Sequence, residues 1–365
     1  MNRRWICSDV WMDILPSFER VELGLKMALL SDRFDFLVDK HFAGKSELTI
    51  WRRIGIDKDE GPKPKVSMSV RIDGNLVEFP LPDRPLPNKI RFKNLWIEYI
   101  DYSVIEFLRS NKQIWDRMGT KLELSVLSSW NIEDNQPIWD VLASEIWPIF
   151  ATNIRQLHFP NANHLDNLRR LISPTILTDL DHLNAINSGY LFPNSICDDG
   201  PNATAGQALS KWLHTPSKNG QPKRLFCEYF DKEGNLDWVN SFKEAFLRAT
   251  ASISYKINFE ASANSIEPFE LMNERTKEKL TLLALEEDVE EDSDDGFISD
   301  WLLKRCPISE KAAAIQWEND DENWDDNLNL NYVTFDLLGH INKFIGPLSP
   351  PAEEEKEKAD ESNDN

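Results

Sequence analysis

Residues 253–259, Ile-Ser-Tyr-Lys-Ile-Asn-Phe, place an apolar side chain at every second position. Successive side chains of a strand point to opposite faces, so the pattern predicts a strand with one buried and one solvated face. That decides between two mixed α/β architectures. A doubly wound parallel sheet carries helices on both faces and needs strands apolar on both sides. The alternation predicts instead a curved sheet with its helices on one side.

Working outward, the same rhythm runs back to residue 89. Strands are expected at Ile90–Ile97, Leu122–Leu127, Arg155–Phe159, Ile176–Leu180 and Arg224–Tyr229. Helices are expected between them at Ser103–Met118, Pro137–Phe150, Asn163–Ile172, Ala203–His214 and Leu236–Ala249. Strand starts at 90, 122, 155 and 176 suit one strand and one helix per unit, stacked as in a leucine-rich-repeat-like solenoid. The asparagine and leucine ladder of true leucine-rich repeats is absent, so this reading rests on rhythm alone.

Upstream, Val66, Met68, Val70 and Ile72 alternate before Asp73-Gly74, a hairpin signal because both turn positions need positive φ. Asn75 to Leu81 is the expected return strand. Pro80, Pro82, Pro85 and Pro87 make the next segment a stiff connector. Downstream, Phe269–Asn273 and Lys279–Leu285 read as a hairpin, Asp300–Arg305 as a short helix stopped by Pro307, and Ala313–Trp317 and Asn331–Leu337 as final strands.

The 365 residues carry 62 Asp and Glu against 41 Lys and Arg, a net charge of −21. Three segments hold nearly all of it: 286–296 with eight acids, 317–330 with six, and 352–365 with seven acids and two lysines. The rest of the chain is close to neutral, which leaves no basic domain for a nucleic-acid backbone. Charge runs of this kind read as solvated linkers and tail, and they could also draw a basic partner. Cys7, Cys197, Cys227 and Cys306 are too widely spaced for a disulfide framework. Asp9 and Asp13 interrupt any signal-peptide core, and no window reaches the ~20 apolar residues of a membrane span. The expectation is an intracellular protein, cytoplasmic or nuclear, with no membrane partner.

The first forty-five residues read as three short helices. Ser8 is placed to cap the first, with Val10, Trp11, Ile14 and Leu15 on one stripe, and Pro16 stops it. The second runs from about Glu19 to Leu30 with Leu23, Met27 and Leu30 aligned. Ser31 caps the third, whose Phe34, Leu37, Val38 and Phe42 point one way, and Gly44 ends it. So small a unit cannot hide all of that apolar surface. Either the surplus packs on the rest of the chain, or it forms a docking face for a partner helix.

These residues resemble a family. Ile6-Cys7-Ser8-Asp9-Val10-Trp11-Met12-Asp13-Ile14-Leu15 is similar to the opening of an F-box, with Cys7-Ser8 where the family carries Leu-Pro. Leu23 to Phe34 is similar to its second half, with Leu29-Leu30-Ser31 for the Val-Ser step and Phe34 where Trp is common. The chain most resembles the large, divergent F-box families of nematodes. The resemblance implies a non-catalytic substrate receptor, docked on a Skp-type adaptor of a cullin–RING ubiquitin ligase and holding a protein target on its strand face. The docking residues it points to are Ile6, Val10, Ile14, Leu15, Leu23, Leu30 and Phe34. The alternatives are an interaction scaffold that never enters a ligase and an enzyme with an unmarked site.

Catalytic motifs are absent: no GxxxxGK[ST], no GxGxxG after a strand, no HExxH and no GxSxG. His158 and His164 lie close together but lack the further ligands a metal needs, so ordinary hydrogen bonds are expected of them. Asp198-Asp199-Gly200 reads as a turn. Trp96, Trp115, Trp130, Trp139 and Trp147 read as mostly core, and Trp317 and Trp324, flanked by acids, as exposed. No cofactor or metal is expected. The organisation is then an F-box-like unit at 1–45, a hairpin and connector at 46–88, a repeat-like α/β domain at 89–346 with the two acidic inserts, and a disordered acidic tail at 347–365.

Overall fold

The computed structural model describes residues 6–18, 23–42, 48–56, 66–72, 75–82, 84–87, 90–126, 136–218, 220–228, 237–262, 267–285, 298–309, 330–337 and 345–350. The Asp73-Gly74 turn, Gly44, the acidic stretches (save Leu330), Ala313–Trp317, Trp130 and Trp324 lie outside them, as does the tail beyond residue 350.

Among the described residues one mixed sheet of thirteen strands organises the fold, in the order β10-β11-β12-β9-β8-β7-β6-β5-β13-β4-β1-β2-β3. The strands are β1 Leu48–Ile56, β2 Val66–Ile72, β3 Asn75–Pro80, β4 Ile90–Ile97, β5 Thr120–Val126, β6 Ile154–His158 and β7 Ala185–Asn187. They continue as β8 Lys223–Cys227, β9 Tyr255–Ser262, β10 Phe269–Asn273, β11 Glu278–Ala284, β12 Ile298–Pro307 and β13 Asn331–Leu337. Every neighbour pair from β1 to β9 along that order is parallel, and both flanks are antiparallel. β1 pairs in parallel with β4, so the hairpin at 46–88 is the margin of the main sheet and not a separate one. Strands β4 to β9 begin at 90, 120, 154, 185, 223 and 255, a spacing of 30 to 38 residues.

Helices fill the connections because their polar and apolar positions follow a helical period, and three of them carry side-chain caps. α1 is Ser8–Ile14 and α2 Asp32–Phe42. α3, Tyr102–Ser110, starts where the Asp101 carboxylate accepts from Val104 N at 3.0 Å. The long helix expected at 103–118 breaks at Asn111, whose side chain bonds back to Phe107 O and accepts from Leu86 N, so α4 is Lys112–Met118. α5, Gln136–Val141, passes through a π turn at Leu142–Ile146 into α6, Trp147–Phe150. α7 is Ala162–Leu171, capped by Asn161, α8 Ile176–Asp179, α9 Ala205–His214 and α10 Asp237–Arg248. Thr204 and Gln207 form a reciprocal capping box on α9.

The helices reach the sheet through one face. Trp115 of α4 stacks on Phe92 of β4 at 5.2 Å, Phe150 of α6 meets Phe335 of β13, and Trp238 and Phe242 of α10 meet Phe259 and Tyr255 of β9. On that face Leu95, Ile97, Leu122, Leu124, Leu157, Ile186, Leu225, Ile257, Leu303 and Val333 are buried. The alternate positions, among them Glu123, Gln156, Lys256 and Thr334, form the opposite face.

Four expectations are corrected. Ile176–Leu180 is no strand: Ile176 and Leu177 are buried on the single helical turn α8, and β7 follows at 185–187. Asp300–Arg305 is no helix but the middle of β12, with Trp301, Leu303 and Arg305 buried at every second position. Ser8 does not cap α1; Cys7 occupies the cap position with no side-chain bond. Trp96 is not core but 40% exposed on the face away from the helices. The strand 331–337 forms, but in the middle of the sheet between β4 and β5.

Candidate protein-interaction surfaces

The N-terminal residues build a core of their own. Leu15, Leu23, Ala28, Leu37, Val38 and Phe42 are buried together, with Trp11, Met12, Met27 and Phe34 packed around them. Trp11 and Phe34 meet edge to face at 4.8 Å. The middle element is a π turn at Leu23–Met27 followed by a 3₁₀ turn at Ala28–Leu30, and α2 begins with Ser31 Oγ accepting from Phe34 N at 3.4 Å. The unit touches the sheet domain through Leu29, which packs on the main core, and through Arg84, which donates to Asp32 at 2.7 Å.

Outside that small core, Ile6 is 45% exposed, Val10 44%, Leu30 63% and Phe36 66%, with Phe18 also exposed. The seven docking residues therefore divide. Ile6, Val10 and Leu30 offer apolar surface, Ile14 and Phe34 are half-buried, and Leu15 and Leu23 are interior groups that hold the unit together. Phe36 and Phe18 were missed by sequence reasoning. Phe36 falls off the Phe34, Leu37, Val38 stripe, and that off-stripe position was the signal.

The second surface lies on the opposite face of the sheet, which exposes Trp96. Register places Arg53, Trp96, Thr334, Glu123 and His158 in one row across β1, β4, β13, β5 and β6. Glu98 and Asp336 stand beyond Trp96 and Thr334 in the strand direction. Arg53 grips Glu98 with two bonds, Nε to Oε1 at 2.6 Å and Nη2 to Oε2 at 2.7 Å. Trp96 Nε1 donates to Asp336 Oδ2 at 3.0 Å, while Asp336 Oδ1 has no hydrogen-bond partner. Glu123 accepts from Ser125 at 3.2 Å and Thr334 at 3.4 Å, with His158 Nδ1 at 3.5 Å.

These contacts set the charge states. Burial alone would raise Glu123, but the His158 and Ser125 hydrogen bonds hold its carboxyl below the ordinary value. Burial raises Asp336 above the ordinary carboxylate value, opposed by the Trp96 hydrogen bond and the charge of Arg53 and reinforced by Glu98 and Glu123. Ser125 is engaged with a carboxylate and not with an imidazole, so the row holds no nucleophile–base relay.

Other reactive groups are structurally occupied. His164 Nε2 lies 2.9 Å from Val126 O and Nδ1 2.9 Å from Asn161 Oδ1, and burial brings its pKa to about 4. Cys197 Sγ is 3.6 Å from His214 Nδ1, but that nitrogen also bonds Ser210 O, and burial raises the thiol while lowering the imidazole. Both shifts oppose a thiolate–imidazolium pair. Lys223, brought to about 7 by burial, donates to the carbonyls of Trp212 and Thr215 at the end of α9. Among the described residues no group of three His, Cys, Asp or Glu is placed to hold a metal, and no helix is long and apolar enough to cross a membrane.

The chain matches no protein-family model, no curated protein and no solved structure.

Proposed function

We propose that the chain is a non-catalytic receptor that couples a target protein to a Skp-type adaptor and, through it, to a cullin–RING ubiquitin ligase. In this reading residues 1–45 are an F-box-like unit, and the sheet domain is a leucine-rich-repeat-like body that holds the target. The body draws support from strand starts 30 to 38 residues apart, with helices between them that pack on the sheet through rings such as Trp115 on Phe92 and Trp238 on Phe259. The adaptor reading rests above all on the N-terminal unit, which has its own small core yet leaves Ile6, Val10, Leu30 and Phe36 in solvent. Exposed apolar side chains gathered on one small unit mark an interface. The work of such a subunit is positioning: bringing target lysines near a charged E2 raises their effective concentration without covalent chemistry by this chain.

The test is recovery of a purified Skp-type adaptor by the full-length chain, compared with the Ile6→Asp and Leu30→Asp variants. Strong recovery by the wild type and loss in both variants supports the reading. Equal recovery, or none by the wild type, removes it. That negative outcome belongs to the alternative, an interaction scaffold whose N-terminal unit rests on its own body through Leu29 and the Arg84–Asp32 bond.

A further inference from the structure

Three neighbouring strands carry a charge pattern that strand pairing alone does not require. On the same face of the sheet as Trp96, register sets Arg224 of β8, Lys256 of β9 and Lys304 of β12 side by side. Two residues further toward the ends of β8 and β9 stand Phe226, Asn258 and Leu302, and Leu283 of β11 continues that row 48% exposed. Two residues further again, Glu260 pairs with Asp300, and Glu228 follows Cys227, the partner of Phe259. The block therefore reads basic, then largely apolar, then acidic. Beyond it, Ala185 and Gln156 carry the first row on toward Lys121 without charge.

Geometry keeps the two charged rows apart. They stand four residues from each other along each strand, about 13 Å at ~3.3 Å per residue. A cation of one row reaches a carboxylate of the other only if both side chains lie flat over the row between them. Within the acidic row like charges are neighbours: burial first, then Asp300 and Glu228, hold the Glu260 carboxyl above its ordinary value. In the basic row Lys256 is only 7% exposed, while Arg224 and Lys304 on its two sides are half-buried and carry the outward charge.

We infer that this block pairs two copies of the chain, face to face, about a two-fold axis that runs along the apolar row. Rotation about that axis lays each strand over its own counterpart and reverses its direction. Lys304 then faces the second copy's Asp300 and Arg224 its Glu228, while Phe226, Leu302 and Leu283 meet their own counterparts. Sheets stacked face to face lie about 10 Å apart, a gap that long facing side chains span. The pattern selects the occupant. A segment of one charge sign would meet a row of its own sign, and an apolar segment would cover both charged rows without pairing them. A second copy supplies both signs in the required order. The block is narrow, so the expected pair is reversible, as small interfaces are. The inference stands apart from the receptor reading and leaves the row around Trp96 to a target.

The experiment is sedimentation velocity of the full-length chain over a concentration series. Wild type is expected to pass from monomer to dimer as concentration rises, and about 1 M salt to weaken the pair several-fold by screening the rows. Lys304→Glu and Asp300→Lys each set like charges across the axis and are each expected to weaken dimerisation about tenfold. The double variant Lys304→Glu/Asp300→Lys exchanges the two signs and is expected to recover most of the wild-type association. A chain that stays monomeric at every concentration overturns the inference. A dimer that both single variants leave unchanged lies on another surface and overturns it as well, as does a folded double variant that recovers nothing. Should the β12 variants fail to fold, Leu283→Asp at its exposed position tests the apolar row instead: a weakened dimer supports the inference and an unchanged one refutes it. Adaptor recovery is expected to be the same in all of these variants, so failure of the adaptor reading and failure of this inference are read in separate assays.

Discussion

Arg305 of β12 and Glu278 of β11 form an ion pair inside the helix-covered layer, Nη2 to Oε2 at 2.7 Å, with side chains 2% and 1% exposed. Both groups make further hydrogen bonds. Arg305 also donates to Ala251 O at 2.9 Å, and Glu278 Oε1 accepts from Ser252 Oγ and Ile253 N, both at 2.7 Å. The guanidinium lies over the Phe246 ring of α10 at 5.3 Å. The pair therefore ties the antiparallel flank β10–β12 to α10 and to the start of β9.

Breaking one side of such a pair leaves a buried charge without compensation. Glu278→Gln and Arg305→Met are each expected to destabilise the chain by about 3–5 kcal/mol. The double variant is expected to lose much less than the two singles together, because it buries no lone charge. Urea unfolding of the four proteins measures this. Additive losses would show that the two residues act independently.

The N-terminal unit makes a prediction from its division of apolar residues. Leu15→Ala and Leu23→Ala remove side chains from a six-residue core and are expected to cost about 2–5 kcal/mol locally. Leu30→Ala and Phe36→Ala remove exposed side chains and are expected to stay within about 0.5 kcal/mol of wild type. Hydrogen exchange over residues 8–42 separates the two classes, since loss of the small core opens that segment while the sheet keeps its protection.

β13 shows why part of the fold was legible in the sequence and part was not. Alternation located Ile90–Ile97 and Asn331–Leu337 as strands, because each pattern is local. Their adjacency is not local: β13 enters the sheet between β4 and β5 from about 200 residues away in the chain. One buried side chain fixes the insertion. Asn331 Oδ1 accepts from Phe92 N at 3.1 Å and its Nδ2 donates to Ile114 O at 2.9 Å. Asn331→Ala is expected to leave a buried N–H and a buried C=O unpaired and to cost about 1–3 kcal/mol for each. A change below 1 kcal/mol in urea unfolding would mean that strand pairing alone holds β13.

The other misreadings have local causes. Ile176, Leu177 and Leu180 stand at i, i+1 and i+4, a helical spacing that four residues are too few to display against a strand run. β7 has three residues and so no pattern to detect. In β12 the charge of Arg305 hid a period of two, because its burial depends on a carboxylate 27 positions earlier. Trp96 followed the general preference of tryptophan for the interior, and only its register beside Arg53 and Thr334 reveals its face.

Asp336 carries the last prediction, which concerns the pH dependence of stability. Its folded-state pKa lies above the ordinary value because burial and the neighbouring Glu98 and Glu123 disfavour the charged form. A raised pKa means that the folded state holds this proton more tightly than the unfolded chain does. The associated stability is present at acid pH and is lost as pH rises through the folded-state pKa, so at neutral pH the ionised carboxylate weighs against folding. Asp336→Asn has nothing to titrate and keeps an acceptor for Trp96. It is therefore expected to gain on wild type between about pH 3.5 and pH 7, by roughly half a kcal/mol once solvent screening is allowed for. Urea midpoints of both proteins at the two pH values give the comparison. A variant that gains nothing between the two pH values would show that the Trp96 hydrogen bond already offsets the repulsion.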